Sequence, residues 1–304
     1  MDLSVKIGEK TLQNPIGVAS GTFGYGEEYS QLCDLNEIGA FYTKAVTLES
    51  KEGNPLPRIV ETPSGMLNAI GLANVGVDKF MMEKISWFRD NVKNCALIPN
   101  IAGASEKEYC RLVEELQDID VIWGLEVNLS CPNVKEGAMH FGTDAKTVEK
   151  ITKKIRKLTK KPLILKLSPN VFDICEIAAA AQSGGADAVS CINTLVGMVI
   201  DTKNCRPFLA NKTGGLSGPA IRPIGVRAVY QISRKVKIPV IGMGGITNAD
   251  DAIQYFLAGA KAIQIGTYNF VEPQISNSIL AGILEWMAAH KVESVAEISN
   301  LMED

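Results

Sequence analysis

The sequence predicts an α/β protein, a (β/α)8 TIM barrel with a short N-terminal hairpin and long loops at the C-terminal face. Eight short apolar segments alternate with segments of helical character, as they do in parallel α/β folds. Polar residues and glycines follow most of these apolar segments, where barrels place their functional sites. A chain of 304 residues accommodates one barrel of about 250 residues with extensions, so we expect a single domain over residues 1–304.

The first half of the chain supplies the hairpin and four of the predicted barrel strands. Residues 3–7 and 11–12 flank a polar turn and predict the hairpin. Strands are predicted at residues 16–19, 40–46, 97–101 and 123–127, and helices at residues 29–35, 78–89 and 106–116. Residues 47–76 are rich in Gly, Pro and Asn without clear periodicity, which is typical of a functional lid or binding loop.

The second half continues the same alternation and supplies the other four strands. These are predicted at residues 162–167, 188–192, 240–242 and 262–265, with helices at residues 144–160, 172–183, 221–236 and 248–257. The strand at residues 162–167 is apolar on both faces apart from Lys166, as buried parallel strands are. Residues 195–219 form a second irregular segment, and the residues after Thr267 have helical character.

The composition excludes several classes of function. The 31 basic and 34 acidic residues give a net charge of −3, without the basic excess of proteins that bind nucleic acids or anionic membranes. No apolar run approaches the ~20 residues of a membrane span, and the first six residues lack the apolar core of a signal peptide. Seven cysteines without a Cys-x-x-Cys pair indicate free thiols and no metal site. We therefore expect a cytoplasmic protein with a small-molecule ligand.

One cysteine differs from the others in its surroundings. Cys131 belongs to Asn128-Leu129-Ser130-Cys131-Pro132-Asn133, a polar loop that follows a predicted strand. A thiol between two asparagines is suited to transfer a proton to or from a polar, planar substrate. Packing alone explains Cys110, Cys175 and Cys191, which lie in apolar helix or strand patterns. We therefore interpret Cys131 as a catalytic residue rather than as a buried structural cysteine.

Glycine-rich turns follow the last two predicted strands, at Gly244-Gly245 and Gly266-Thr267. Barrels bind phosphate at this place through backbone N–H groups, although such turns also occur for geometric reasons alone. Gly242-Met243-Gly244-Gly245 does not complete a Gly-x-Gly-x-x-Gly fingerprint, so we do not expect this chain to bind NAD directly.

Two lysines at strand ends, Lys44 and Lys166, leave two kinds of chemistry open. Either lysine could form a Schiff base in an aldolase that needs no redox cofactor. Alternatively, a lysine cation could stabilise the negative charge of a reduced flavin. Amide groups after the strands favour the flavin, because they suit an imide-like heterocycle better than a sugar phosphate. The asparagines concerned are Asn68, Asn100, Asn128, Asn133 and Asn193. A binding module without catalysis is a third alternative, but binding alone would not require the thiol.

Six segments together resemble the dihydroorotate dehydrogenase family, and the resemblance extends over nearly the whole chain. The segments are Ala19-Ser20-Gly21-Thr22, Lys44-Ala45, Asn68-Ala69-Ile70-Gly71-Leu72, Asn128-Leu129-Ser130-Cys131-Pro132-Asn133, Gly242-Met243-Gly244-Gly245-Ile246 and Gly266-Thr267. The resemblance implies one FMN across the top of the barrel and oxidation of dihydroorotate to orotate in pyrimidine biosynthesis. A cysteine base is typical of class 1 of the family. Residues 3–7 and 21–26 resemble its NAD-linked class 1B more than its fumarate-linked class 1A.

The resemblance also implies roles for individual residues. Cys131 would remove a proton from substrate C5 while a hydride leaves C6 for flavin N5. Substrate would contact Lys44, Asn68, Ala69, Ile70, Gly71, Leu72, Asn128, Asn133, Asn193 and Thr194. FMN would contact Ser20, Lys44, Ala45, Asn100, Asn128, Lys166, Ile192, Gly218, Gly244, Gly245, Gly266 and Thr267.

A partner protein is implied as well. Class 1B enzymes pass electrons to NAD through a subunit that carries FAD and a [2Fe–2S] cluster, so we expect a heterotetramer built on a homodimer of this chain. The alternative is a class 1A homodimer that uses fumarate. A Schiff-base aldolase that uses Lys166 or Lys44 is the more distant alternative.

Overall fold

The computed structural model describes residues 1–129 and 141–303 of the chain. Its strands are, in chain order, β1 (Val5–Ile7), β2 (Lys10–Leu12), β3 (Ile16–Val18), β4 (Ala40–Tyr42), β5 (Ile59–Thr62), β6 (Gly65–Asn68), β7 (Ala96–Ile98), β8 (Asn100–Ile101), β9 (Leu125–Asn128), β10 (Leu163–Lys166), β11 (Ala188–Cys191), β12 (Leu195–Gly197), β13 (Ile200–Asp201), β14 (Arg206–Pro207), β15 (Gly214–Ser217), β16 (Val240–Met243) and β17 (Ala262–Ile265). β1 and β2 form the predicted antiparallel hairpin, in which Val5 pairs with Leu12.

Nine of these strands form one parallel sheet that closes into a barrel. The strand order is β7-β4-β3-β17-β16-β11-β10-β9-β8. β7 and β8 are two parts of one barrel strand, separated only by Pro99, which has no N–H group to donate to a neighbour. Single bridges between Leu97 and Ile122, and between Val46 and Ile101, join both sides of this strand to the rest of the sheet. The predicted (β/α)8 barrel is therefore confirmed.

Helices alternate with the barrel strands. In chain order they are α1 (Val77–Lys79), α2 (Ile85–Asn91), α3 (Glu106–Leu116), α4 (Ala145–Arg156), α5 (Ile174–Ser183), α6 (Arg222–Ser233), α7 (Ala249–Leu257) and α8 (Ile275–Ala289). A π-helical turn, Phe80–Lys84, joins α1 to α2. Polar side chains begin several helices, as where Ser105 and Asp144 accept hydrogen bonds from the first turns of α3 and α4. The helices predicted from residue 78 onward are confirmed, with ends that differ by a few residues.

One predicted helix is wrong. Residues 29–35 do not form a helix, and single 3-10 turns lie there instead, at Glu27–Tyr29 and Leu35–Glu37. The Asp34 carboxylate accepts a hydrogen bond from the Asn36 N–H at 2.9 Å, and this local contact starts the second turn. Most side chains between the turns are exposed, so a helix here would have no apolar face to bury.

The two segments predicted to be irregular contain an antiparallel sheet, which we call the roof sheet. Its order is β12-β15-β6-β5, so residues 195–219 pair with residues 47–76. Gly215 lies opposite Asn68, which is 147 positions away in the sequence. Pairing over such a distance leaves no periodic signal in either segment, and the glycines of β15 weaken its strand character further. The expectation of two irregular loops is therefore wrong for these strands.

The barrel strands are buried on both faces, because side chains fill the interior and helices cover the outside. Val18, Phe41 and Leu165 are fully buried examples from three strands. A smaller apolar cluster of Leu67, Ala69 and Leu209 lies against the roof sheet. Within the described ranges, no helix is long and apolar enough to cross a membrane.

Candidate active site

A cavity of about 570 Å³ opens between the carboxyl ends of the barrel strands and the roof sheet. Its volume lies within the ~300–1,000 Å³ that is typical of small-molecule sites. The predicted site residues that the structure describes all line this cavity. They are Ser20, Lys44, Ala45, Asn68, Ala69, Ile70, Gly71, Leu72, Asn100, Asn128, Lys166, Ile192, Asn193, Thr194, Gly218, Gly244, Gly245, Gly266 and Thr267. The other two predicted residues, Cys131 and Asn133, lie outside the described residues.

Lys166 places a buried cation at the inner end of the cavity. We call this end the floor, and it is formed by Asn100, Lys166 and Gln264. Lys166 ends β10 and is only 6% exposed. Its Nζ lies 3.0 Å from Ser20 Oγ and 3.8 Å from Glu126 Oε2. A buried ammonium group needs such partners, because removing a charge from water is costly. Lys44 follows β4 and lines the same cavity, so both predicted lysines are available to one ligand.

Beneath the cavity, the barrel interior is polar where apolar side chains usually fill it. Glu126 in β9 is completely buried, and its Oε2 accepts a hydrogen bond from Asn100 Nδ2 at 2.6 Å. Its Oε1 accepts hydrogen bonds from Ser190 Oγ at 2.8 Å and from Gln264 Nε2 at 2.9 Å. Asn100 Oδ1 and Gln264 Oε1 are buried and have no hydrogen-bond partner in the described part of the chain. Burial and the negative charge of Glu126 raise the pKa of the Tyr42 hydroxyl well above 10.

Asparagine amides on one side of the cavity are held by each other and by nearby backbone. Asn193 Nδ2 donates to Asn128 Oδ1 at 3.5 Å, and Asn193 Oδ1 accepts from the Thr194 N–H at 2.8 Å. Asn170 Nδ2 donates to the Thr194 carbonyl at 2.9 Å, while its Oδ1 accepts from the Val196 N–H at 3.0 Å. Fixed amides of this kind suit a planar heterocycle that carries both donors and acceptors.

Residues 68–72 lead from the roof sheet along the cavity in a conformation that a neighbouring loop supports. Asn54 donates from Nδ2 to the Ala69 carbonyl and from its N–H to the Ile70 carbonyl, both at 3.0 Å. Leu72 has a φ of 58°, in the left-handed region that residues with a side chain seldom adopt. Strain of this kind is concentrated at functional sites.

The turns after β16 and β17 bring backbone close to the cavity. Gly245 has a φ of 68°, and a Cβ there would lie 2.8 Å from the Gly218 carbonyl oxygen, so this position requires glycine. After β17, Thr267 Oγ1 donates to Ser217 Oγ at 2.7 Å and links the turn to the roof sheet. Backbone that lies this near a cavity, without side chains between, is suited to phosphate.

Most of the described cysteines are unsuited to act as bases. Burial raises the pKa of Cys33 to about 11. Burial also raises the pKa of Cys95, Cys110, Cys175 and Cys191, so these thiols stay protonated at neutral pH. Packing is therefore a sufficient explanation for Cys110, Cys175 and Cys191, as the sequence indicates.

Reasoning from sequence misses several polar cavity residues, and four of them are Asn54, Asn170, Ser217 and Gln264. Gln264 carries a usable signal, because a polar residue inside an apolar strand is unusual. Glu126 carries the same signal in β9. The other three carry none, since loop conformation and long-range strand pairing decide where they lie.

The cavity residues fit FMN, the cofactor that the family resemblance implies. The unpaired acceptors Asn100 Oδ1 and Gln264 Oε1 match a ring that carries an N–H donor. Lys166 supplies a cation for the ring, and the glycine turns leave room for a phosphate.

Comparisons with known proteins agree with the family resemblance. A family model described as dihydroorotate dehydrogenase matches residues 2–287. Two relatives, from Trichlorobacter lovleyi and Bacteroides thetaiotaomicron, are named dihydroorotate dehydrogenase B (NAD(+)), catalytic subunit. The first is 51% identical over 301 residues, which cover 99% of this chain and 98% of the relative. The second is 50% identical over 302 residues, which cover 99% of each.

Among solved structures, dihydroorotate dehydrogenase from Eimeria tenella, in complex with ferulenol, superimposes with a TM-score of 0.81. The match covers 98% of this chain and 87% of that one at 22% identity, which shows the fold alone. The family model and the two relatives lead to one conclusion: the chain belongs to the dihydroorotate dehydrogenase family.

Proposed function

We propose that this chain is the catalytic subunit of an NAD-linked dihydroorotate dehydrogenase, and that it oxidises dihydroorotate to orotate in pyrimidine biosynthesis. The observation that carries the proposal is the convergence of the described cofactor and substrate residues on one cavity. The names of the relatives support the NAD-linked class, because the chain matches them over nearly their whole length.

In this proposal one FMN is held by the floor of the cavity and by the glycine turns after β16 and β17. When bound, FMN supplies the acceptor for the hydride that leaves the substrate. The Lys166 cation stabilises the negative charge that develops during hydride transfer. The 3.0 Å contact with Ser20 holds the ammonium group in place. Gly244, Gly245 and Thr267 offer backbone N–H groups to the phosphate.

The remaining residues bind dihydroorotate and move a proton. The amides of Asn128 and Asn193 pair with the imide edge of the ring, and the Lys44 cation binds its carboxylate. Residues 68–72 cover the substrate from the roof sheet. In this proposal Cys131 accepts the proton from C5, and Asn133 contacts the substrate.

Electrons leave the chain through a partner subunit that carries FAD and a [2Fe–2S] cluster, in a heterotetramer of two copies of each subunit. The relatives are named as catalytic subunits, which indicates that another subunit exists in those enzymes. The sequence of this chain contains no complete dinucleotide fingerprint, so the direct reduction of NAD⁺ by the chain alone is not favoured.

The surroundings of Lys166 do not favour the aldolase alternative. Lys166 is ion-paired with Glu126, whereas a lysine that forms a Schiff base attacks as a neutral amine. Borohydride treatment in the presence of substrate separates the two activities. A substrate adduct on Lys166 in the mass spectrum would support the aldolase and contradict the dehydrogenase.

Anaerobic mixing of the purified chain with dihydroorotate tests the proposed function directly. We expect the protein to contain non-covalent FMN, whose visible absorbance bleaches on mixing. Orotate is the matched control, because it occupies the same site but carries no hydride to transfer. Recovery of FAD alone, no flavin after refolding with FMN, or no bleaching by dihydroorotate would overturn the proposal.

A further inference from the structure

Glu126 has no role in the function proposed above, yet the floor of the cavity is built around it. It is completely buried behind Asn100, Lys166 and Gln264, all of which line the cavity. Two amide groups and one hydroxyl donate hydrogen bonds to its carboxylate. Its Oε2 also lies 3.8 Å from Lys166 Nζ, with which it forms an ion pair. The barrel therefore holds a negative charge directly beneath the site.

The carboxylate determines which way two amides face. Asn100 and Gln264 use their NH₂ groups to donate to Glu126, which leaves Asn100 Oδ1 and Gln264 Oε1 as the unpaired acceptors. If either amide were turned around, its carbonyl oxygen would face the carboxylate and be repelled by it. Glu126 thus selects acceptors, rather than donors, for the floor of the cavity.

The same carboxylate acts on Lys166. Its Oε2 lies 3.8 Å from Lys166 Nζ, and both groups are nearly or completely buried, where charges interact more strongly than in water. The pair holds the ammonium group at the floor next to Ser20. It also offsets part of the positive field that Lys166 exerts on a ligand above it.

We propose that Glu126 is a positioning residue of the reaction, which orients Asn100, Gln264 and Lys166 beneath the flavin and lowers the reduction potential of bound FMN. The inference rests on the proposed FMN site. It differs from a purely structural role, which would change the stability of the barrel and leave the potential of the bound flavin unaltered.

The test is the reduction potential of FMN bound to Glu126→Gln, measured by anaerobic titration against a reference dye. The substitution keeps the size of the side chain and removes its charge. We expect the equilibrium to shift toward reduced flavin by tenfold or more, which is a rise of about 30 mV for a two-electron couple. An unchanged or lower potential in a variant that retains FMN would overturn the proposal.

Asp187→Asn is the matched control. Asp187 precedes β11 at the opposite end of the barrel, and its Oδ2 accepts hydrogen bonds from Arg156 Nη1 at 2.6 Å and from the Leu163 N–H at 2.8 Å. This substitution also removes a paired carboxylate, so we expect a lower melting temperature with an unchanged potential. A rise in potential equal to that of Glu126→Gln would contradict a specific role for Glu126.

Ser190→Ala decides the question if Glu126→Gln does not fold or does not retain FMN. It removes one hydrogen bond that partly neutralises the carboxylate and leaves the charge in place. We expect a smaller change in the reduction potential of bound FMN, and of opposite sign, toward oxidised flavin. An unchanged potential would overturn the proposal. If the wild-type chain holds no FMN at all, the proposed function fails, which is a result distinct from any of these.

Discussion

At the scale of single residues, the proposed chemistry depends on the thiol of Cys131. A general base contributes roughly 10² to 10⁴ in rate, so Cys131→Ala should slow reduction of the flavin by dihydroorotate by at least about 10²-fold. The variant should still contain FMN, because the floor and turns of the cavity are contributed by other residues. Anaerobic stopped-flow absorbance measures the rate. Cys131→Ser should retain a little activity at high pH.

Cys175→Ala is the control for this prediction. Burial raises the pKa of the Cys175 thiol, which lies in α5. Its loss should leave flavin reduction unchanged. If Cys131→Ala reduces its flavin at the wild-type rate, Cys131 is not the base.

At the scale of secondary-structure elements, the roof sheet determines how residues 68–72 lie over the cavity. Gly65 begins β6 with a φ of 154°, and a Cβ there would lie 2.0 Å from the Ser217 carbonyl oxygen in β15. Gly65→Ala must therefore push these two strands apart. Strain of about 1–3 kcal/mol is usual for such positions, so we expect about a tenfold or larger increase in KM for dihydroorotate. Steady-state assays with a dye acceptor measure this change.

The matched control is Gly197→Ala, in the edge strand β12 of the same sheet. A Cβ at Gly197 would lie 3.1 Å from Leu67 Cδ2, the flexible end of a side chain that can move by a few tenths of an ångström. The KM of Gly197→Ala for dihydroorotate should stay near that of the wild type. A wild-type KM for Gly65→Ala would show that the roof sheet does not position the substrate residues.

At the scale of the whole molecule, the question is where the electrons go. The isolated chain should oxidise dihydroorotate rapidly with an artificial dye and only slowly with NAD⁺, because in the proposed function electrons reach NAD⁺ through a partner subunit. Co-purification from the native cell, followed by assays with NAD⁺ and with fumarate, measures this difference. Rapid turnover of the isolated chain with fumarate, without a co-purifying iron–sulfur flavoprotein, would contradict the NAD-linked assignment and leave the barrel chemistry intact.

Local patterns in the sequence are sufficient to predict the barrel and much of the lining of the cavity. Apolar runs mark the buried strands, and the residue that follows a strand lies at one known face of a parallel barrel. Strand order along the chain is therefore enough to assign Lys166, Asn128 and Gly244 to one cavity, and all three line it. The failed helix at residues 29–35 shows the limit of such patterns, because a local cap at Asp34 prevailed over helical character.

Only the tertiary structure decided which distant groups meet. The roof sheet joins strands that are far apart in the sequence. Asn68 pairs with Gly215, which is 147 positions away. The carboxylate of Glu126 binds Ser190 and Gln264, which lie 64 and 138 positions away. Periodicity reports the burial of each segment separately and carries no information on its partners. The sequence by itself determined the barrel and the glycine turns, because short-range sterics and hydrophobic burial specify them. The roof and the polar floor depend on closure of the barrel, which brings side chains from separate strands within hydrogen-bonding distance.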